Sequence, residues 1–301
     1  MGKIAFLFPG QGAQTVGMGQ EMLARPEVTG LFSRASEILG YDLADVCTNG
    51  PKEKLDSTAV CQPAIFTASC AALNCLKADQ PEVVDMAAAA AGLSLGEYTA
   101  LYFAGAFSFE DALRLVQKRG EAMQHAADSL AGGMVAILGL DAAVVERLCE
   151  EAAQGDVLKV ANYLCPKNYS VSGTRDACER VAQMAEAAGA MRVVPLAVAG
   201  AFHTPMMASA AEALSSQLAS TSVVSPKIPV ISNVDVRSHS DPDDIRRTLL
   251  AQLTSSVRWE ETVRALIADG FDRFYEVGPG RVLRGLMKRI DRKMPMEGVE
   301  F

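Results

Sequence analysis

The chain has little with which to hold a metal or build a disulfide framework. Its seven cysteines (Cys47, Cys61, Cys70, Cys75, Cys149, Cys165 and Cys178) include no Cys-x-x-Cys pair and no metal-ligand spacing, and only three histidines accompany them. No zinc or other metal site is expected. An odd, scattered set of thiols in an acidic chain reads as reduced and cytoplasmic. Basic charge is also short. The 28 Lys and Arg against 36 Asp and Glu leave a formal net charge of -8, which argues against nucleic acid as a partner. No run reaches the length of a membrane span, so no membrane partner is expected. The opening MGKIAFLFPGQG lacks a signal-peptide pattern, because its apolar stretch is short and runs into a glycine turn. The myristoylation pattern fails as well, with Phe6 where a hydroxyl is required. There is no low-complexity segment and no repeat of fixed period.

What the chain does have is apolar mass. Half of its 301 residues are apolar, enough for one large domain carrying an insertion. Lys3 to Phe8 reads as a buried strand ending at Pro9-Gly10-Gln11-Gly12, with a helical pattern from about Met18. The dinucleotide fingerprint fails there, since Thr15 stands where the third glycine belongs, and the phosphate-loop pattern fails with Met18 in place of lysine. The loop is either a tight turn or a set of N–H donors beside a reactive group. Residues 131–198 have a different rhythm. Strands at Gly133 to Leu138, Val157 to Tyr163, Tyr169 to Ser172 and Met191 to Leu196 alternate with helices at Ala142 to Ala153 and Asp176 to Ala188. That order is the ferredoxin-like βαββαβ unit, set as an inserted subdomain in a discontinuous α/β domain of residues 1–130 and 199–301. Further buried strands are expected at Pro229 to Val234 and Arg273 to Val277, giving a parallel sheet covered on both faces.

The most informative stretch is GLSLGEY, Gly92 to Tyr98, which follows the apolar run Met86 to Ala91. It places Ser94 at the apex of a strand–turn–helix elbow whose flanking positions, Gly92 and Gly96, must be small. The following helix aims its N-terminal N–H groups at a developing oxyanion. The same residues also serve as an ordinary Gly/Ser turn, so the motif gains weight only with partners. A serine nucleophile needs a base. His125 lies near the end of a helical segment and His239 in a polar loop, whereas His203 precedes Thr204-Pro205, an N-cap followed by a first helical position. At a helix mouth in an apolar stretch the neutral imidazole is favoured, which singles out His203 as base against the simpler reading of a capping histidine.

Ser108 and Asp111 form a capping box that opens a helix with apolar positions Ala112, Leu115, Val116, Met123 and Ala126. Arg119 falls on that stripe, while Arg114, Lys118 and Glu121 fall off it. A buried arginine requires an anion, either a carboxylate of the protein or the carboxylate of a substrate. The last helical segment, Arg281 to Lys293, carries Arg281, Arg284, Lys288, Arg289, Arg292 and Lys293 against Asp291 alone. It is either an ordinary cationic helix end or a docking face for an acidic partner, with Lys288 and Arg289 as candidates.

With these residues in place, the chain resembles the malonyl-CoA:acyl carrier protein transacylases of bacterial fatty-acid synthesis, nearly end to end. The motifs are FPGQGAQ (Phe8 to Gln14), QPA (Gln62 to Ala64), GLSLGEY, Arg119-Gly120, AFH (Ala201 to His203), SNVD (Ser232 to Asp235) and EVGPG (Glu276 to Gly280). The resemblance implies a hydrolase-like α/β domain with a ferredoxin-like insertion. It also implies a ping-pong acyltransferase that needs no cofactor and has malonyl-CoA and acyl carrier protein as its partners. A monomer is expected. By position, Ser94 matches the nucleophile, His203 the base, and Gln252 the residue whose backbone carbonyl orients it. The backbone N–H groups of Gln11 and Leu95 match the oxyanion hole, Arg119 the carboxylate-binding arginine, and Gln62 and Asn162 polar residues lining the site. AFH, with Phe202, resembles instead the version in malonyl-selective polyketide acyltransferases, where the phenylalanine narrows the pocket against a branching methyl group.

Two positions depart from the family pattern. Leu93 stands where histidine is usual, and Asn162 to Asn168 (NYLCPKN) replaces Asn-x-Asn-Ser-Pro-Gly-Gln. The rival readings are a trans-acting acyltransferase that loads a polyketide synthase, a serine thioesterase or esterase, and a non-catalytic scaffold.

Overall fold

The computed structural model describes residues 2–301. The first part runs β1 (Lys3–Phe8), α1 (Pro26–Leu39), α2 (Leu43–Asn49), α3 (Lys52–Asp56), α4 (Thr58–Asp79) and α5 (Pro81–Asp85). Then come β2 (Ala87–Gly92), α6 (Gly96–Phe103) and α7 (Phe109–Ser129). The middle comprises β3 (Gly132–Leu138), α8 (Ala142–Ala153), β4 (Leu158–Cys165), β5 (Asn168–Thr174), α9 (Arg175–Ala187) and β6 (Arg192–Pro195). The last part holds α10 (Ala208–Ser220), β7 (Val230–Ile231), α11 (Pro242–Gln252), α12 (Trp259–Ala268), β8 (Phe271–Val277), α13 (Val282–Ile290) and β9 (Met296–Val299).

A five-stranded sheet, in the order β7-β2-β1-β8-β9, is parallel throughout. Its centre owes its packing to small residues on β2. The AAAAAG strand is a poor strand former by composition, yet it lies beside β1 with Ala5 opposite Ala89 and Phe8 opposite Gly92. The short alanine side chains leave room over the sheet for Phe6 and Phe8, which pack on Phe103 of α6 at centroid distances of 5.0 and 5.9 Å. β1, β2 and β8 all end at the same rim, where turns rich in glycine follow. In open parallel sheets the crevice beyond that rim is where ligands bind.

The four middle strands form a separate antiparallel sheet, β4-β5-β3-β6, in the ferredoxin-like order. Helices α8 and α9 cover it around a core that includes Val135, Ile137, Val145, Leu148, Val160, Val171 and Val181. Backbone bonds stitch this sheet to the segment after α11: Tyr163 N–H donates to Val257 at 2.9 Å and Val257 N–H to Ala161 at 2.8 Å. That stitch sets the position of Asn162.

Three expectations from the sequence change. Met18 to Arg25 is a run of turns, and the helix begins at Pro26. Gly17 and Gly19 take positive φ angles of 94° and 74°, and the N–H of Gly17 is drawn to Cys47, so the helical spacing there has no helical backbone to act on. The expected strand at Pro229 to Val234 shrinks to Val230–Ile231, because the chain turns off at Ser232. Finally, α4 is long and apolar enough by composition to cross a membrane, contrary to the expectation that no run is. In the fold 83% of its apolar window is buried, with Gln62, Thr67 and Ser69 among its enclosed residues, so protein covers it on its faces.

Candidate active site

The turn between β2 and α6 carries Ser94 at φ 51°, a left-handed backbone that costs energy in a residue with a side chain. Gly92 and Gly96 make the turn possible. A Cβ on Gly92 would run into the carbonyl of Gly96, and one on Gly96 into the carbonyl of Phe8. His203 is also left-handed, at φ 61°, just before Thr204, whose hydroxyl accepts from the N–H of Met206 at 3.2 Å and caps the turn Pro205–Met207. Ser94 Oγ and His203 Nε2 lie 2.9 Å apart. His203 Nδ1 lies 2.8 Å from the backbone oxygen of Gln252, which can only accept. The proton therefore resides on Nδ1, and Nε2 offers its lone pair to the serine hydroxyl.

Burial, and after it the nearby Arg119 charge, push the His203 imidazolium down to about 4. The ring is neutral at physiological pH, which is the state a general base needs. The helix mouth considered from sequence is not the main cause, since desolvation is the larger effect.

Arg119 is 1% exposed and comes off α7 on the expected face. Its Nη1 donates to Gln62 Oε1 at 2.6 Å, and its Nη2 to Ser94 Oγ at 3.0 Å and Gln252 Oε1 at 2.9 Å. None of these acceptors is a carboxylate. Its Nε has no partner among the described residues, and its guanidinium lies over the Tyr98 ring at 5.4 Å. Of the two anions weighed for it, no protein carboxylate is bonded to it directly. The charge is held by amide oxygens, a hydroxyl and an aromatic face, with burial disfavouring it.

A cavity of about 390 Å³ opens over this cluster. Ser94, His203, Arg119, Gln11, Leu95, Asn162 and Phe202 line it, and Leu93, Met134, Leu196 and Leu286 make much of it apolar. The backbone N–H groups of Gln11 and Leu95 donate to no acceptor among the described residues. Two free donors beside a serine hydroxyl are what an oxyanion requires. Gln62 is placed differently from the expectation. It lies behind Arg119, donating to Met123 Sδ at 3.5 Å, and is not on the cavity wall. Lys288 and Arg289 are exposed on α13, the helix whose Leu286 borders the cavity. Their neighbours Arg281 and Arg284 are paired, both with Glu300, at 3.0 Å for Arg281, and Arg284 also with Glu276 at 3.2 Å.

Two further residues, to which the sequence patterns assign no role, support the elbow. Asn233 Oδ1 accepts from the N–H of Ser94 at 2.7 Å, and its Nδ2 donates to the carbonyl of Gly92 at 2.8 Å. Glu97 Oε2 accepts from Asn233 N–H at 3.0 Å and from Gln252 Nε2 at 2.7 Å. The signal for both was their place in SNVD and GLSLGEY, which marks importance without naming a partner.

Comparison with known proteins gives the family. The model of the acyl transferase domain matches residues 5–297. The malonyl CoA-acyl carrier protein transacylase of Salmonella typhimurium is 44% identical over 291 residues, covering 96% of this chain and 93% of the relative. The Bacillus subtilis protein of the same name is 41% identical, covering 98% and 92%. Among solved structures, the malonyl CoA-acyl carrier protein transacylase of Coxiella burnetii superposes with a TM-score of 0.94 at 41% identity, over 99% of this chain and 94% of that one. A malonyl-transacylase solved in complex with its type II PKS acyl-carrier protein gives 0.93 at 39% identity, over 98% and 94%.

Proposed function

The chain belongs to the acyl transferase domain family, and from that premise we propose that it moves a malonyl group from coenzyme A to the phosphopantetheine thiol of an acyl carrier protein in fatty-acid synthesis. Its relatives of 44% and 41% identity carry that activity in their names. The observation that carries the reading to this chain is the placement of a carboxylate-free Arg119 against Ser94 Oγ, beside a neutral His203.

In the first half-reaction Ser94 Oγ attacks the thioester carbonyl and its proton passes to His203 Nε2. The tetrahedral oxyanion takes the N–H groups of Gln11 and Leu95. The C–S bond breaks, the proton returns to the departing thiol, and malonyl-serine remains. In the second half-reaction His203 takes the proton of the carrier's thiol, whose sulfur attacks the ester and restores Ser94. The malonyl carboxylate occupies Arg119 throughout, making a charge-assisted pair with its guanidinium. Phe202 and Asn162 bound the acyl group, and Gln62 and Gln252 hold Arg119 from behind. Lys288 and Arg289 form the docking face for the acidic carrier. All seven cysteines are free and buried, which fits a reducing, cytoplasmic setting.

A thioesterase or esterase is not favoured, because His203 is oriented by a backbone carbonyl where hydrolases of this kind use an acid. Incubation with malonyl-CoA, followed by mass spectrometry, is expected to place a malonyl adduct on Ser94 that holo-acyl carrier protein removes. Adduct elsewhere, or hydrolysis without transfer, overturns the reading. Comparing fatty-acid with polyketide carriers as acceptors tests the pathway.

A further inference from the structure

Glu97 lies beneath Ser94 and is 2% exposed. It makes no ion pair with Arg119. The Gln252 side chain joins the two: its Oε1 accepts from Arg119 Nη2 at 2.9 Å, and its Nε2 donates to Glu97 Oε2 at 2.7 Å. A buried cation and a buried carboxyl group thus share one amide. Few other titratable groups face them. They are Tyr98 from the helix of Glu97, His203 from the segment before Pro205, and Cys61 from α4 beside Arg119. Burial pushes the Tyr98 phenol and the Cys61 thiol each up to about 12, so both stay protonated. The Ser232–Asn233 loop and the end of α11 contribute neutral groups.

In the free enzyme the one cation is balanced when Glu97 is ionised. A second carboxylate arriving at Arg119 unbalances it, because two like charges in a dry site disfavour each other. We propose that Glu97 takes up a proton when an acyl carboxylate docks on Arg119, so that this site binds carboxylate-bearing acyl groups in a proton-linked way and uncharged acyl groups without it. The proton comes from solvent and returns to it when the acyl group leaves. This rests on the reading of Arg119 as the malonyl site. Burial already pushes the Glu97 carboxyl up to about 7, so protonating it near neutral pH demands little.

The test uses the full chain with Ser94→Ala, which binds thioester without acyl transfer. Malonyl-CoA and acetyl-CoA are titrated in weak buffer containing a pH indicator, just above the Glu97 value. Malonyl-CoA is expected to take up as much as about one proton per site and acetyl-CoA none. Adding Glu97→Gln is expected to abolish the uptake, whereas adding His203→Ala leaves it. In the active enzyme, malonyl kcat/KM is expected to fall by up to about tenfold per pH unit above the Glu97 value, relative to acetyl. It is expected to be flat on the same scale in Glu97→Gln. Should Glu97→Gln fail to fold, infrared difference spectra of the chain with isotope-labelled glutamate serve instead. They are expected to show a protonated carboxyl on adding malonyl-CoA but not acetyl-CoA. Uptake that survives Glu97→Gln, parallel malonyl and acetyl profiles, or no protonated carboxyl overturns the proposal. Failure of wild-type Ser94 to be malonylated overturns the function itself, while malonylation without proton uptake overturns only the role of Glu97.

Discussion

The backbone N–H of Ser94 donates to the side chain of Asn233 at 2.7 Å, although 139 residues separate the two. The nucleophile's own N–H is thereby occupied, which leaves the oxyanion to the free donors of Gln11 and Leu95. Asn233→Ala would leave both that N–H and the carbonyl of Gly92 without their partner. Each buried group so stranded costs about 1–3 kcal/mol. The variant is expected to melt several degrees lower and to acylate at least about tenfold more slowly. Thermal unfolding together with burst kinetics checks this, and an unchanged melting temperature would remove Asn233 from the elbow's support.

Replacing His203 by Ala is expected to slow acylation and transfer each by about a hundredfold or more. His125→Ala and His239→Ala are expected to leave both steps near wild type. Single-turnover measurements of each half-reaction decide it, and a crippled His125 variant would move the base elsewhere.

His203 also sets a pH dependence of stability. Its folded value of about 4 lies below the ordinary 6.5, so the unfolded chain binds the proton more tightly between them. Stability is therefore fully present above the ordinary histidine range and declines as pH falls toward 4. In His203→Gln that part of the decline is expected to disappear. Denaturant midpoints across this range measure it, and parallel curves for the two proteins would contradict the buried neutral imidazole.

Arg119→Ala removes a charge-assisted pair of roughly 1.5–3 kcal/mol. Malonyl transfer is expected to fall by about ten- to a hundredfold or more, with acetyl transfer falling much less. Arg119→Lys restores only part, since it keeps the charge and loses the fork. Equal loss of malonyl and acetyl transfer would make the arginine a structural element and nothing more.

Leu93 borders the cavity where its family pattern has histidine. A leucine side chain offers no hydrogen bond, so Leu93→His tests whether one matters there. The expected outcome is an unchanged ratio of malonyl to acetyl loading at an unchanged rate. A shifted ratio would identify position 93 as a determinant of acyl choice.

Local patterns carried most of this site in the sequence. The glycines flanking Ser94 follow from the turn itself, and Arg119 was visible because one helical period places it among Ala112, Val116 and Met123. The βαββαβ unit was equally legible, since each of its elements has its own periodicity. Glu97 and Asn233 were not, because their meaning lies in bonds spanning 136 and 139 residues, which no local rule reports. The turns from Met18 to Arg25 depart from the sequence pattern for the opposite reason: apolar spacing suggests a helix where positive-φ glycines prevent one.

Ser94 and His203 both sit on left-handed backbones, one from each side of the reacting bond. Neither conformation is self-sustaining in a residue with a side chain; the surrounding packing holds it. The reactive pair is thus like a sprung catch, set only while its frame stays tight. Loosening that frame anywhere around the elbow would let both residues relax to ordinary backbone angles, so the spacing of hydroxyl and imidazole is a property of the packing around them as much as of the two residues themselves.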